Sequence, residues 1–478
     1  MNRSIAINSV SYLLLFFLMI LTACDSLKKV QTPDKSDQAD KEELDEIQGK
    51  RVFNPETGEY EIVTDVTGTL DTIIWKEPTA PTTPPITSEA TQRAEGTPQA
   101  ETEYLSIYNL VLPLPFLADK LDLVEDKIDK RSIPALNFYE GAKMAFDVLS
   151  TEGVNLDVSV LDTRASENTT QRLTNNYDLI NAHLIIGTFR NSTARAIANF
   201  SLNNKKTFVS PIYPHQNLTQ NNPYFIQLNP SEKTHCEAIM KHVKEKFPIN
   251  RIVVFGRNSP QEQRLMRYYL EAHYALEGGT FADSIQLVTI TDESSGLEDT
   301  DLVPYMDEIN TTAFVIASSS QTFVYSMLRK IDLDKEDRSI VVYGQPRWKD
   351  FNNISYEYYE TMNVHISSES FIDTNQEAIQ NFREAFFNKY GMPPTEEAFK
   401  GYDTILYFGR LLKELGTGFA NKIDVNPADG LHTRFDIQRI VTTPQVPLEG
   451  EALNQFDQLM NKHLNILEFT DYQFRRAD

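Results

Sequence analysis

The chain is poor in the residues that carry covalent and metal chemistry. It has two cysteines, Cys24 and Cys236, among 478 residues. Cys24 closes the N-terminal apolar run, so the rest of the chain has one thiol and cannot form an internal disulfide. His235 and His242 lie seven apart on one predicted helix, two turns, which is not a four-ligand spacing. No metal is expected there, and Cys236 reads as a small buried thiol. There is no Gly-x-Ser-x-Gly, no phosphate loop of the Gly-x4-Gly-Lys type and no His-Glu-x2-His. Nothing supports an enzyme or a cofactor, and Asp403 in GYDTILYFG reads as the cap of a helix start. Basic residues are also short: 45 Lys and Arg face 68 Asp and Glu, for a net charge of −23. Such a chain repels phosphate backbones, which excludes nucleic acid as an expected partner.

The first residues carry a charge at Arg3 and then an apolar run, SYLLLFFLMILTA, too short for a membrane span and suited to a secretory signal. Leu21-Thr22-Ala23-Cys24 resembles a bacterial lipobox. That resemblance implies cleavage of residues 1–23 and lipidation of Cys24, so that the mature chain is tethered to a membrane of the cell envelope, not threaded through it. Asp25 resembles an inner-membrane retention signal. Residues 24–50, with DKSDQADKEELDE, lack the apolar content of a core and read as an acidic disordered tether. Residues 51–77 carry turn signals at Asn54-Pro55-Glu56-Thr57-Gly58 and near Gly68. EYEIV and TIIW read as strands either side of the second, a possible hairpin. Residues 78–103, rich in Pro, Thr and Ala, read as an extended linker.

From Tyr104 the texture becomes that of an α/β body. SIYNLVLPLPF, VNLDVSVLDT, HLIIG and KKTFV read as strands, with the helical PALNFYEGAKMAFDVLST after the first. The order restarts after 230: THCEAIMKHVKEKF is helical, RIVVFGR a strand, QEQRLMRYYLEAHYAL helical, and SIQLVTI, TAFVIAS and SIVVYG strands. Alternation of this kind gives parallel sheets covered on both faces. Two such units predict two doubly wound, Rossmann-like lobes with a cleft between them, and ligands at the carboxyl ends of the strands.

Four stretches resemble the type I periplasmic solute-binding proteins, which include the branched-chain amino acid receptors of ABC transporters. They are YEGAKMAFDVLSTEGVNLDVSVLDT, LIIGTFRNST with FVSPIYPHQNLTQ, NPYFIQLNPSEKTHCEAIMKHV, and FREAFFNKYGMPPTEEAFKGYDTILYFGRLL. The resemblance implies two lobes joined by three crossovers and closing by hinge motion. Lobe 1 is expected over 104–230 and 366–418, lobe 2 over 231–365 and 419–478.

By the same resemblance the first lobe grips a ligand carboxylate through loop hydroxyls and the N–H groups of a helix start. The matching positions are Thr188, Asn191, Ser192 and Thr193 in HLIIGTFRNSTARAIANF, and Ser210, Pro211 and Tyr213 on the second loop. The Ser192 hydroxyl serves either as a helix N-cap or as a ligand contact. Tyr213 and Pro214 depart from the small residue and threonine of the receptors. In the second lobe the candidates are Ser319, Gln345 and Arg347. Where the receptors hold the ammonium with an acid, VYGQPRW offers Arg347 and Trp348, which suit an acidic group or a sugar face. The alternative is a surface salt bridge and a packed indole. Two functions follow: capture of a small solute, delivered to an ABC permease, or regulation of cell-wall synthesis. For the latter, lipoprotein activators of penicillin-binding proteins resemble this family too, and the partner is a peptidoglycan synthase or peptidoglycan fragments.

Overall fold

The computed structural model describes residues 50–54, 59–63, 102–121, 127–212, 218, 221–277, 285–292, 294, 296–441 and 458–477. Residues 1–49, with the expected signal sequence and Cys24, and residues 78–101 of the expected linker lie outside them. Among the described residues no helix is long and apolar enough to cross a membrane.

Two short strands near the start, β1 (Lys50–Asn54) and β2 (Glu59–Val63), pair as a two-stranded sheet. EYEIV is therefore a strand, but its partner is the segment before it. The two strands flank the Asn54–Gly58 turn signal, where Pro and Gly concentrate turn propensity; Gly68 lies outside the described residues. TIIW lies outside the described residues.

The body holds two seven-stranded sheets. Strands β3 (Tyr108–Leu114), β4 (Leu156–Asp162), β5 (Leu184–Ile186), β6 (Thr207–Ser210) and β7 (Phe225–Gln227) run parallel in the first. Strands β8 (Ile252–Arg257), β9 (Gln286–Ile290), β10 (Thr312–Ile316), β11 (Ile340–Gly344) and β12 (His365–Ser368) run parallel in the second. The central strands are apolar on both faces, as YNLVLPL, LII and TAFVI show, because helices cover both sides. Those helices are α1 (Ile133–Thr151), α2 (Glu167–Leu173), α3 (Tyr177–Ile180) and α4 (Asn191–Asn204), then α5 (Glu232–Lys246), α6 (Pro260–Leu276), α7 (Gln321–Asp334) and α8 (Tyr356–Thr361). Two more, α9 (Glu377–Tyr390) and α10 (Glu396–Leu415), follow β12. Ser231 and Ser259 start α5 and α6 by accepting from the N–H of Thr234 and Glu262.

The C-terminal quarter corrects the expected lobe boundary. After a two-residue pairing of β13 (Ala428–Asp429) with β14 (Arg434–Phe435), strands β15 (Ile437–Ile440) and β16 (Gln458–Asn461) extend the first sheet. Strand β16 is buried throughout and runs parallel to β7, with Leu459 opposite Ile226. A wholly buried strand must find ladder partners for its backbone, and β7 supplies them. Of the C-terminal strands, only β17 (Asn465–Thr470) and β18 (Gln473–Arg476) join the second sheet, β17 antiparallel to β12 and β18 antiparallel to β17. The chain thus passes between sheets after β7, after β12 and after β16.

Helices α1 and α10 meet backbone to backbone. A Cβ on Gly141 would run into the Ala398 carbonyl, and one on Gly401 into the Phe138 carbonyl. On the second lobe, Cys236 is fully buried, and burial raises its thiol pKa well above the ordinary value. Nearby, the buried His365 stacks on Tyr343 at 4.7 Å and its Nδ1 bonds to the Asn363 carbonyl at 2.7 Å.

Two outcomes follow for stability. Gly401→Ala should destabilise by about 2–4 kcal/mol, since a methyl cannot enter without parting the helices; urea denaturation reads it. Burial lowers the His365 pKa from 6.5 to about 4, and burial lowers those of His183 and His463 as well. The unfolded chain then takes up protons first as pH falls. The stabilising contribution of neutral His365 is whole above about pH 6.5 and lost by about pH 4, worth up to about 3 kcal/mol. Melting temperature measured across that window should drop, and less steeply in His365→Gln.

Candidate functional site

The opening of α4 is built from the chain that precedes it. Gly187, at φ 151°, carries the chain past β3, where a Cβ would sit 2.6 Å from the Pro113 carbonyl. The Gly187 N–H donates to Val209 and the Thr188 N–H to Pro113, so the loop is tied across the carboxyl ends of β6 and β3. Thr188 follows in the left-handed region, at φ 53°. That conformation is costly for a β-branched residue, about 1–3 kcal/mol. Its side chain is fully buried and the hydroxyl has no hydrogen-bond partner. Phe189 anchors the loop edge-on against Phe138 at 5.6 Å, and the Arg190 guanidinium donates to the Ala165 carbonyl at 2.7 Å.

Arg190 is the residue before the helix, and no side chain caps α4. Ser192 is therefore inside the first turn and is not the cap. Asn191 is exposed, Ser192 half-buried, and Thr193 is buried with its hydroxyl donating to the Arg190 carbonyl at 3.0 Å. An α-helix begins with four N–H groups lacking intrahelical partners, and they carry the positive end of its dipole. On the neighbouring strand ends, Ser210 and Pro211 are buried, and so is Gln227. The Gln227 amide donates to the Asn229 carbonyl at 2.8 Å, while its Oε1 has no partner. The structure thus brings Thr188, Ser210 and Gln227 onto the carboxyl ends of three adjacent strands. Tyr213, like Pro214, lies outside the described residues.

The second-lobe candidates follow β10 and β11. Ser319 is half-buried beside Ser318, whose hydroxyl donates to Glu262 at 2.7 Å. Glu262 also pairs with the Arg257 guanidinium, which lies 4.5 Å from the Phe323 ring centre. Gln345 is buried and its amide donates to the Tyr269 hydroxyl at 2.7 Å. Trp348 is fully buried beneath Gly344, its Nε1 donating to the Ser318 carbonyl at 2.9 Å. It is a packed indole, with no face for a sugar. Arg347, on the same turn, is half-buried with its guanidinium 5.9 Å from the Phe351 ring centre.

Where β6, β7 and β12 end lies a small polar crevice of about 10 Å³, lined by Pro211, Leu228, Asn229, Glu369, Lys400, Thr404, His432, Thr433 and Phe435. Sequence reasoning reached only Pro211 of these. Asp403 is not a cap: α10 begins seven residues earlier at Glu396, and Asp403 is buried mid-helix. Its carboxylate accepts from the His432 N–H at 2.8 Å and pairs with His432 Nδ1 at 2.5 Å. One turn back, Lys400 is buried beside Glu396 at 3.1 Å and Glu369 at 3.9 Å. Burial alone would lower the Lys400 pKa, but the two carboxylates overturn it and raise it. Lys400, aided by Lys349 and against burial, brings Glu396 down to about 2. A signal existed in the sequence: EEAFKGYDTILYF places a lysine within the apolar stripe of its helix, where a charge needs a partner.

Among the described residues, no group of three or more His, Cys, Asp or Glu is disposed to hold a metal ion. In comparison with known proteins, the family described as periplasmic binding protein matches residues 134–425. A putative branched-chain amino acid ABC transporter protein from Rhodospirillum rubrum superposes with a TM-score of 0.54 at 16% identity, covering 78% of this chain and 99% of that one. An ABC transporter substrate-binding protein from Desulfitobacterium hafniense superposes with a TM-score of 0.52 at 16% identity, covering 78% and 100%. No curated protein matches.

Thr188→Gly should relieve the left-handed strain and the buried lone hydroxyl, while losing the packing of Cβ and the methyl and adding about 1 kcal/mol of unfolded-chain entropy. The terms nearly cancel, so the denaturation midpoint should move by less than about 1 kcal/mol, where truncation of an unstrained, hydrogen-bonded buried threonine costs about 2 kcal/mol or more.

Proposed function

The chain belongs to the periplasmic binding protein family, and from that premise we propose that it captures a small acidic solute between its two lobes. The observation that carries this reading is the Thr188 loop. A strained residue with a buried, unpartnered hydroxyl stands before a helix that no side chain caps. Strain and orphaned polar groups persist where function uses them. A ligand carboxylate would accept from the first-turn N–H groups and the Thr188 and Ser192 hydroxyls, with Ser210 and Pro211 forming the adjoining wall.

On the opposite wall, Arg347 and Ser319 would take a second acidic or strongly polar group. An ammonium is disfavoured at both available places. Arg347 has its sign, and the Glu369 carboxylate at the hinge is already balanced by Lys400. An unmodified branched-chain amino acid, the solute class in the printed name of the Rhodospirillum rubrum protein, is therefore a poorer fit than an acidic relative of it. Lipidated at Cys24 and spaced from the membrane by residues 24–103, the chain would work in the cell envelope on the periplasmic face of the inner or outer membrane, passing its solute to an ABC permease.

The test is a thermal-shift screen against amino acids, dicarboxylates, peptides, muropeptides and sugars, since a ligand bound only to the folded state raises the melting temperature by mass action. Acidic solutes should give the largest shifts. If no compound shifts it and a pull-down instead recovers a peptidoglycan synthase, solute capture fails and the regulatory role stands. Within the capture reading, Arg347→Ala should weaken the acidic ligand at least tenfold by calorimetry; unchanged affinity removes Arg347 from the site.

A further inference from the structure

A turn of the second lobe and a helix of the first meet through a short line of alternating charges. Lys349 Nζ lies 3.9 Å from Glu396 Oε2, Glu396 Oε1 lies 3.1 Å from Lys400 Nζ, and Lys400 Nζ lies 3.9 Å from Glu369 Oε1. The Ser370 hydroxyl donates to Glu396 Oε1 at 2.8 Å. Each end is fixed to a different lobe. Lys349 sits on the Pro346–Asp350 turn, which Trp348 nails to the second lobe. The indole fills the space over Gly344, and the Tyr359 hydroxyl donates to the Trp348 carbonyl at 3.0 Å. Glu396 and Lys400 sit on α10, which the glycine contacts lock against α1 of the first lobe. Glu369 and Ser370 belong to the crossover segment that follows β12, tied to the first lobe by the Thr433 hydroxyl, which donates to the Glu369 carbonyl at 2.7 Å.

We propose that Lys349, Glu396, Lys400 and Glu369 form an electrostatic clasp across the junction of the lobes that selects one interlobe angle. The Lys349–Glu396 contact is the link that spans the lobes; the others keep Glu396 charged and in place. Rotation of one lobe about the crossovers moves the Trp348 turn as a rigid plate relative to α10. The 3.9 Å contact cannot survive a displacement of several ångströms, so other angles forgo it. The groups are half-buried or buried, which limits screening by salt. Burial opposes the charge on Lys349, but Glu369 and Glu396 outweigh it and raise its pKa, so Lys349 stays charged throughout the neutral range. Arg347 stands on the same plate. A ligand that draws Arg347 toward the first lobe therefore works against, or with, the clasp through one rigid body. Nothing in the clasp depends on which ligand the cleft takes.

The test measures distance in the ligand-free full chain. Spin labels at Asn203→Cys on α4 and Leu333→Cys on α7, both exposed, report the interlobe separation by pulsed electron resonance. Lys349→Met should shift or broaden the distance distribution, lowering the ratio of the main separation to the alternatives about fivefold. Lys349→Arg, which keeps the charge, should retain the main separation. Glu396→Gln keeps the Ser370 hydrogen bond but removes the charge, and should reproduce the Met variant should that one fold poorly. An unchanged distribution in the neutral variants, or an Arg variant that behaves like Met, overturns the clasp. Neither result bears on solute capture, which the thermal-shift screen decides separately.

Discussion

The contact on which the site depends most is the backbone-to-backbone approach of α1 and α10. Gly141 and Gly401 have no Cβ, and the carbonyls of Ala398 and Phe138 occupy the places where one would be. That approach brings α10, which follows the second crossover by more than twenty residues, onto the helix that follows β3. It fixes three polar side chains of α10, Glu396, Lys400 and Asp403, at the junction of the lobes. Helices 8–10 Å apart with ordinary side chains between them would leave these charges in a wider, wetter gap.

Burying so many charges at one junction is expensive unless each finds its opposite. Here Lys400 meets Glu396 and Glu369, Lys349 meets Glu396, and the Asp403 carboxylate accepts hydrogen bonds from His432. The junction is consequently polar, partnered and specific in geometry. The first-lobe loop is the opposite case. The Thr188 hydroxyl, and Gln227 Oε1 on a neighbouring strand end, are buried without partners, and no side chain caps the helix start. The molecule thus separates a satisfied polar junction from a first-lobe loop with buried, unpartnered polar atoms.

Much of the fold was legible because parallel strands announce themselves. TAFVI, IVVYG and LII are short apolar runs between helical periods, and all are strands of the two sheets. Strands β15 and β16 were assigned to the wrong lobe because sheet membership depends on which ladder edge is free, and β7 had one. Asp403 read as a cap because Gly and Asp together mark helix ends; in fact the glycine serves a helix crossing and the aspartate a histidine 29 residues on. The Thr188 loop was legible from Gly187 and the hydroxyl-rich helix start. The left-handed conformation at Thr188 was not, since a β-branched residue signals the reverse. Glu369 and His432 escaped because their roles arise from contacts between the crossover segment and distant stretches of chain.

Cys236 gives the body from residue 102 onward a single thiol, inside the second lobe and shielded from solvent. With its pKa raised by burial, almost no thiolate is present and no reagent can reach it while the lobe is closed on itself. Alkylation of that sulfur therefore keeps time for one half of the molecule. Its rate counts excursions of the second lobe to an open core, leaving hinge motion and first-lobe fraying unseen. A natural residue, with no function of its own evident, serves as a clock for unfolding of one lobe alone.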